Sequence, residues 1–253
     1  MGNNVSFGYN FAWYTPTAST ADTEYPVTRL YDYDHARRYW LSTVATDSWV
    51  KADLGSSKLI KGILINNINF GSCSIQANDT DVWTAPTYNQ SVTVAPHNLT
   101  GRYQHFVLPN VTLRYVRIFI PTQTPNDGTS VFRMGTLVIL TSNLELTKNP
   151  DLGLTESANE AMITNELESG NYEDVNLGAR IWQISMTFNS YDRGSMTDFG
   201  TLNRLNKNTN LLFYLNNGDA TEAFICRRRT AIEVEWRLPY DNRIPILTFK
   251  ELF

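Results

Sequence analysis

Cysteine is nearly missing from this sequence. Only Cys73 and Cys226 occur in 253 residues, too few and too far apart for a disulfide framework or a thiolate metal site. That scarcity fits a chain folded in a reducing compartment. Histidine is scarcer than usual too: His35, His97 and His105 stand alone, without a second histidine at ligand spacing, so each reads as a solvated or structural residue. No run of about eighteen apolar residues occurs, and "MGNNVSFGYNFAWYT" lacks the basic start and apolar centre of a leader. The expectation is a chain neither exported by that route nor inserted in a membrane. Basic charge is also short. Twenty-one Lys and Arg against twenty-five Asp and Glu leave a net charge of −4, which argues against a phosphate-tracking nucleic-acid binder. GxGxxG, P-loop, GxSxG and HExxH patterns are all absent, so nucleotide, serine-hydrolase and zincin chemistry have no foothold, and no cofactor is expected.

What remains is β texture. Thirteen Tyr, twelve Phe and a low charged fraction of 18% favour strands and polar loops over long helices. In "YVRIFI", Val116, Ile118 and Ile120 share one face while Tyr115, Arg117 and Phe119 share the other. "WVKADLGSSKLIKGILINNINF", Trp49 to Phe70, reads as strand, tight connection, strand, because Gly and Ser punctuate two β-prone runs. Many short strands without intervening helical periodicity predict a sandwich or jelly roll.

The texture changes between 143 and 178. This stretch holds eight Asp or Glu against one Lys and reads as an acidic linker or arm, with a short helix near "TESANEAMI". A smaller β-rich unit over 179–253 follows, in which Trp182, Ile184, Met186 and Phe188 alternate with polar residues. One helix is expected in "GSMTDFGTLNRLNKN", with Ser195 or Thr197 as N-cap and Phe199, Leu202 and Leu205 along one stripe. The expected fold class is thus mostly β: a sandwich over 1–142, the acidic arm, and a C-terminal β-rich assembly domain with one helix.

Several matching positions follow one another in the first half: Ala18-Ser19, Tyr25-Pro26, Leu30 and Asp32, Trp40 with Ser42, Trp49 with Asp53-Leu54-Gly55, Ile60, Gly62-Ile63, and Arg114-Tyr115-Val116-Arg117-Ile118. In this order they resemble the discoidin-like, galactose-binding-type β-sandwich also called the coagulation-factor type C domain. The resemblance implies that Trp40 and Trp49 fill the core. It also implies a calcium site in some members, for which Asp32 and Asp34 stand in the right loop. The last strand, Gly135 to Val138, lacks the expected carboxylate, so the oxygen cage is incomplete and no metal is expected. The whole layout resembles minor tail or baseplate proteins of tailed bacteriophages. That likeness implies a virion tail component folded in the host cytoplasm, with other tail proteins and further copies of itself as partners.

Paired carboxylates such as Asp32 with Asp34, Glu145 with Asp151, and Glu233 with Glu235 arise freely in acidic loops, and no enzyme is read from them. The binding candidates are aromatic: Tyr9, Phe11 and Trp13 near the start, and Trp83 further on. Flat rings suit core packing, a protein interface or a sugar face, and all three uses stay open for Trp13 and Trp83. Arg227, Arg228 and Arg229 with Trp236 are the candidate assembly surface. Sequence reading therefore yields a structural tail protein acting through assembly, with a carbohydrate-binding module for host-surface glycans as the alternative.

Overall fold

The computed structural model describes residues 5–31, 38–94, 104–146, 154–166, 172–192, 196–205, 209–215, 223–228, 232, 235–236 and 241–251. The chain divides into two compact units. One holds residues 6–144 and 212–224, the other 1–5, 145–211 and 225–253.

In the first unit, the strands are β1 (Val5–Phe11), β2 (Thr15–Ala18), β3 (Trp40–Leu41), β4 (Ser48–Asn66), β5 (Ser72–Asn78), β6 (Tyr88–Thr93), β7 (Gln104–Ile120), β8 (Arg133–Met134), β9 (Thr136–Glu145) and, returning from later in the chain, β12 (Leu211–Leu215). Among the described residues of this unit, a 3-10 turn, Val27–Tyr31, is the remaining regular element. Two strands are long enough to serve both layers. The first part of β4 pairs with β2, and its second part with β9, while β7 runs antiparallel to β4 on both sides of a register shift between Asp53 and Lys58. β5 joins the later part of β7, and β6 closes that layer. A strand that passes from one layer to the next through a bulge is how a sandwich makes a corner.

"DLGSSK" is therefore not a turn between two strands but a bulge inside one. Leu54, Gly55, Ser56 and Ser57 of β4 lie opposite the single residue Arg114 of β7. Gly55 permits this by taking φ +74, a left-handed conformation that costs glycine nothing sterically.

Alternation decides what the layers enclose. Val50, Ala52, Ile60, Ile63, Ile65, Ile75, Val116, Ile118, Ile120 and Ile139 are fully buried in one cluster, with Trp40, Phe70 and Phe132 as its largest members. The Trp40 indole Nε1 donates to the Thr20 carbonyl at 3.0 Å, so its polar edge is satisfied while its body is buried. Trp49 departs from the family expectation. It lies on the outer side of β4, half-buried, under the Lys51 ammonium at 5.5 Å, because the period of two that buries Val50 and Ala52 sends their neighbours out.

The second unit is built on β10 (Leu154–Glu166), β11 (Tyr172–Asp192), β13 (Ala223–Arg228), β14 (Glu235–Trp236) and β15 (Asp241–Glu251), with helix α1 (Thr197–Arg204). The alternation expected in β11 is present: Ile184, Met186 and Phe188 are buried while Gln183, Ser185 and Thr187 are partly exposed. The helix expected near 155–163 is instead strand β10, paired antiparallel with β11 from Leu154↔Met186 to Glu166↔Tyr172. Cross-strand pairing with β-prone β11 outweighs the weak local helical preference of that stretch. Helix α1 forms where periodicity places it, and Phe199 and Leu202 are buried. Its N-cap is Met196 rather than Ser195 or Thr197, and no side chain caps it.

Candidate functional site

Near the end of β1 stands a left-handed Asn10, φ 56, whose carbonyl accepts from the Thr141 hydroxyl at 2.7 Å. The Ala12 N–H donates to the Ile139 carbonyl at 2.8 Å. These bonds fix where the next two side chains go. Tyr14 turns inward, 3% exposed, and its hydroxyl donates to the Leu137 carbonyl at 2.7 Å. Trp13 turns outward and is 75% exposed.

Trp13 does not wave free. Its ring lies on Tyr31 with centroids 4.7 Å apart and planes 9° from parallel, and Tyr31 touches Tyr14 on a tilted contact of 4.4 Å. Tyr31 is in turn held by the 3-10 turn, whose Leu30 is fully buried. The three rings, with Phe11, Leu30 and Val138, border a cavity of about 150 Å³. Burial pushes the Tyr31 phenol up to about 12, so the whole wall is uncharged across the physiological range. An exposed indole held flat beside a small apolar recess can serve as a stacking surface, since a ring already fixed in place loses little entropy when a ligand lands on it.

Of the aromatic candidates, Phe11 and Trp13 come together here. Tyr9 is half-buried on β1 and does not border the recess. Trp83 belongs to a different place, the β5–β6 connection, where its Nε1 donates to Asp81 at 2.7 Å and the Arg117 guanidinium lies over its ring at 4.3 Å. Sequence reading missed Tyr31, which stands in a loop with no periodic signal. It also missed Lys51, which hydrogen-bonds Asp81 and thereby holds that carboxyl below the ordinary range.

The arginine run does not present one surface. Arg227 is half-buried and donates to Asn210 at 2.8 Å. Arg228 is 7% exposed and is occupied at the end of α1, donating to the carbonyls of Leu202 at 3.2 Å and Leu205 at 3.3 Å. Arg229 lies outside the described residues, and of Trp236 the backbone alone is described, paired with Asn242. Asp32, Asp34, His35 and His97 also lie outside them. Among the described residues, no group of three or more His, Cys, Asp or Glu is placed to hold a metal ion, and no helix is long and apolar enough to cross a membrane.

Comparison with known proteins bears on the first half. No curated protein matches the chain. Similar solved structures include chitosan-binding module 1 from the chitosanase/glucanase of Paenibacillus sp. IK-5, at 21% identity over 50% of this chain and 93% of that one, with a TM-score of 0.39. Others are CBM32 of AlyQ in complex with 4,5-unsaturated mannuronic acid, at 17% identity over 53% and 98% with a TM-score of 0.42, and a fucose-binding module of Streptococcus pneumoniae, at 12% over 51% and 94% with a TM-score of 0.39. The F5/8 type C domain family matches residues 15–134, and that stretch is an F5/8 type C domain.

Proposed function

We propose that the sandwich is a carbohydrate-binding module and that Trp13, directly before the matched residues, is its sugar platform. One observation carries this reading: a tryptophan with three quarters of its surface in water, stacked in parallel on Tyr31 beside an apolar recess. An exposed ring that continues into an apolar recess is a contiguous apolar surface, the kind that marks a binding site, and the apolar face of a pyranose is a small-molecule surface that a flat indole fits. The platform binds and holds. Among the described residues that border it there is no carboxyl, imidazole, amine or thiol.

The test is a glycan array followed by titration of the best ligand. Binding in the millimolar range or tighter, lost in Trp13→Ala while the melting temperature stays within a few degrees, is the expected result. An array without signal, or a ligand that binds Trp13→Ala as well as the parent, overturns it.

A second reading, assembly into a phage tail or baseplate, draws on one feature of the second unit. From Ala158↔Trp182 outward to Glu166↔Tyr172, β10 and β11 pair with each other and, among the described residues, with no third strand. A two-stranded ribbon is marginal in water by itself and gains from a neighbour along its edge. Deleting the ribbon alone, residues 159–181, which leaves β12 and the rest of the sandwich in place, should then leave a folded monomeric fragment that no longer self-associates or enters particles. Normal assembly of that fragment sinks this reading.

A further inference from the structure

The outer side of the layer containing β4, β7, β5 and β6 carries a second array, which shares no residue with the Trp13 recess. Register places it in rows: Trp49, Phe119, Ser74 and Ser91; then Lys51, Arg117, Gln76 and Asn89; then Asp53, Tyr115 and Asn78. Alternation sends all of these to the face opposite the core.

Arg117 stands at the centre and is held from three sides. Its Nε donates to the Gln76 side-chain oxygen at 2.7 Å, and Gln76, 8% exposed, is itself bonded to Asn89. Its guanidinium lies over Trp83 at 4.3 Å and over Phe119 at 5.5 Å. Trp83 is anchored through Asp81, and Asp81 through Lys51. The two terminal nitrogens of Arg117 donate to no described residue, and neither is enclosed.

The nearby carboxylates are already engaged. Asp53 is paired with Arg114 at 2.8 Å and Asp81 with Lys51, while Asp79 accepts from the neutral Ser57 hydroxyl at 2.6 Å and keeps its charge. Arg117 is thus left without a carboxylate of its own among the described residues, although Asp81 lies near enough to act on it. A planar guanidinium with two free parallel donors fits a carboxylate in bidentate fashion. The surroundings are an aromatic wall and the neutral polar side chains of Asn89 and Ser91, both exposed, which suit a sugar ring and its hydroxyls. A dianionic phosphate would bring twice the negative charge of a carboxylate beside Asp81.

We propose that this sheet face is a second binding site and that its ligand is a hexuronate residue, its carboxylate on the terminal nitrogens of Arg117 and its ring beside Trp83. The site works without Trp13.

The experiment is an NMR titration of the full chain, following the Trp83 indole N–H and the Arg117 Nε–H, with galacturonate, galactose and acetate each added to about 50 mM, where millimolar binding saturates. Saturable shifts of both signals by galacturonate, at least about tenfold weaker with galactose and with acetate, are expected. Arg117→Lys should weaken galacturonate about tenfold or more with an unchanged circular dichroism spectrum, and Trp13→Ala should change nothing. Absence of saturable shifts in the parent protein overturns the site, whatever the variants do. Equal shifts from galactose or acetate overturn the ligand class, and loss in Trp13→Ala overturns its separateness.

Discussion

Arg114 reaches across the bulge in β4 to Asp53 with two parallel hydrogen bonds, Nε to Oδ1 at 2.8 Å and Nη2 to Oδ2 at 2.9 Å. The residue that faces four residues of its partner strand thus ties down the strand's last regular position before the bulge. The Gly55 N–H donates to the same carboxylate at 2.8 Å, so Asp53 holds both sides of the corner.

The Arg114 bonds hold the Asp53 carboxyl below its ordinary value. A carboxyl whose folded value is depressed adds stability that is complete above the unfolded value, about 3.9, and lost as pH falls through the folded value. Melting temperatures of the parent and of Asp53→Asn should therefore differ by a constant amount from pH 7 to about 5 and converge below pH 4. A gap that persists unchanged at pH 3 would show that Asp53 acts through shape alone.

Gly55 makes a cleaner test of the corner. An added Cβ there would meet nothing within 4 Å, yet φ is +74, so a substitution is penalised by conformation and not by crowding. Gly55→Ala should cost about 1 kcal/mol, and Gly55→Asn less, since asparagine tolerates the left-handed region better. Equal costs for the two variants in urea melts would mean that the backbone, and not its dihedral preference, had been misjudged.

Much of this fold is readable in the residues. The alternation of Val116, Ile118 and Ile120, and that of Ile184, Met186 and Phe188, translates directly into buried faces, because strand geometry is local. What cannot be read is set by pairing. Nothing within "DLGSSK" distinguishes a hairpin from a bulge until Tyr115 and Leu113 are known to lie opposite its two ends. Nothing in "TESANEAMI" reveals the β11 residues that make it a strand. The proposed platform is half legible: Trp13 stands out as an aromatic, but Tyr31, on which its ring stacks, is reached only through the fold.

Cys73 gives a third expectation. It is 2% exposed, and burial pushes its thiol up to about 12, leaving almost no thiolate at neutral pH. Cys226 is buried as well. Neither should react with a disulfide reagent at pH 8 in the native protein, and both should react once urea unfolds it. Stoichiometric labelling within minutes under native conditions would contradict the core as described.

Arg228 separates an internal role from an interface role. Its guanidinium donates to two carbonyls at the end of α1 and to the Asn203 side-chain oxygen at 3.3 Å, and no carboxylate pairs with it among the described residues. Backbone carbonyls in the last turn of a helix have no partner within the helix, and a cation there also meets the negative end of the helix dipole. Hydrogen bonds from a charged donor contribute about 1.5–3 kcal/mol, against which stands the cost of keeping that charge from water. Arg228→Met should therefore destabilise the second unit by about 1–2 kcal/mol, seen as a lower melting temperature and faster amide exchange in α1, with the oligomeric state unchanged. Arg228→Lys, which can reach one carbonyl but not all three acceptors, should fall between. A variant as stable as the parent that nonetheless fails to assemble would return Arg228 to the interface.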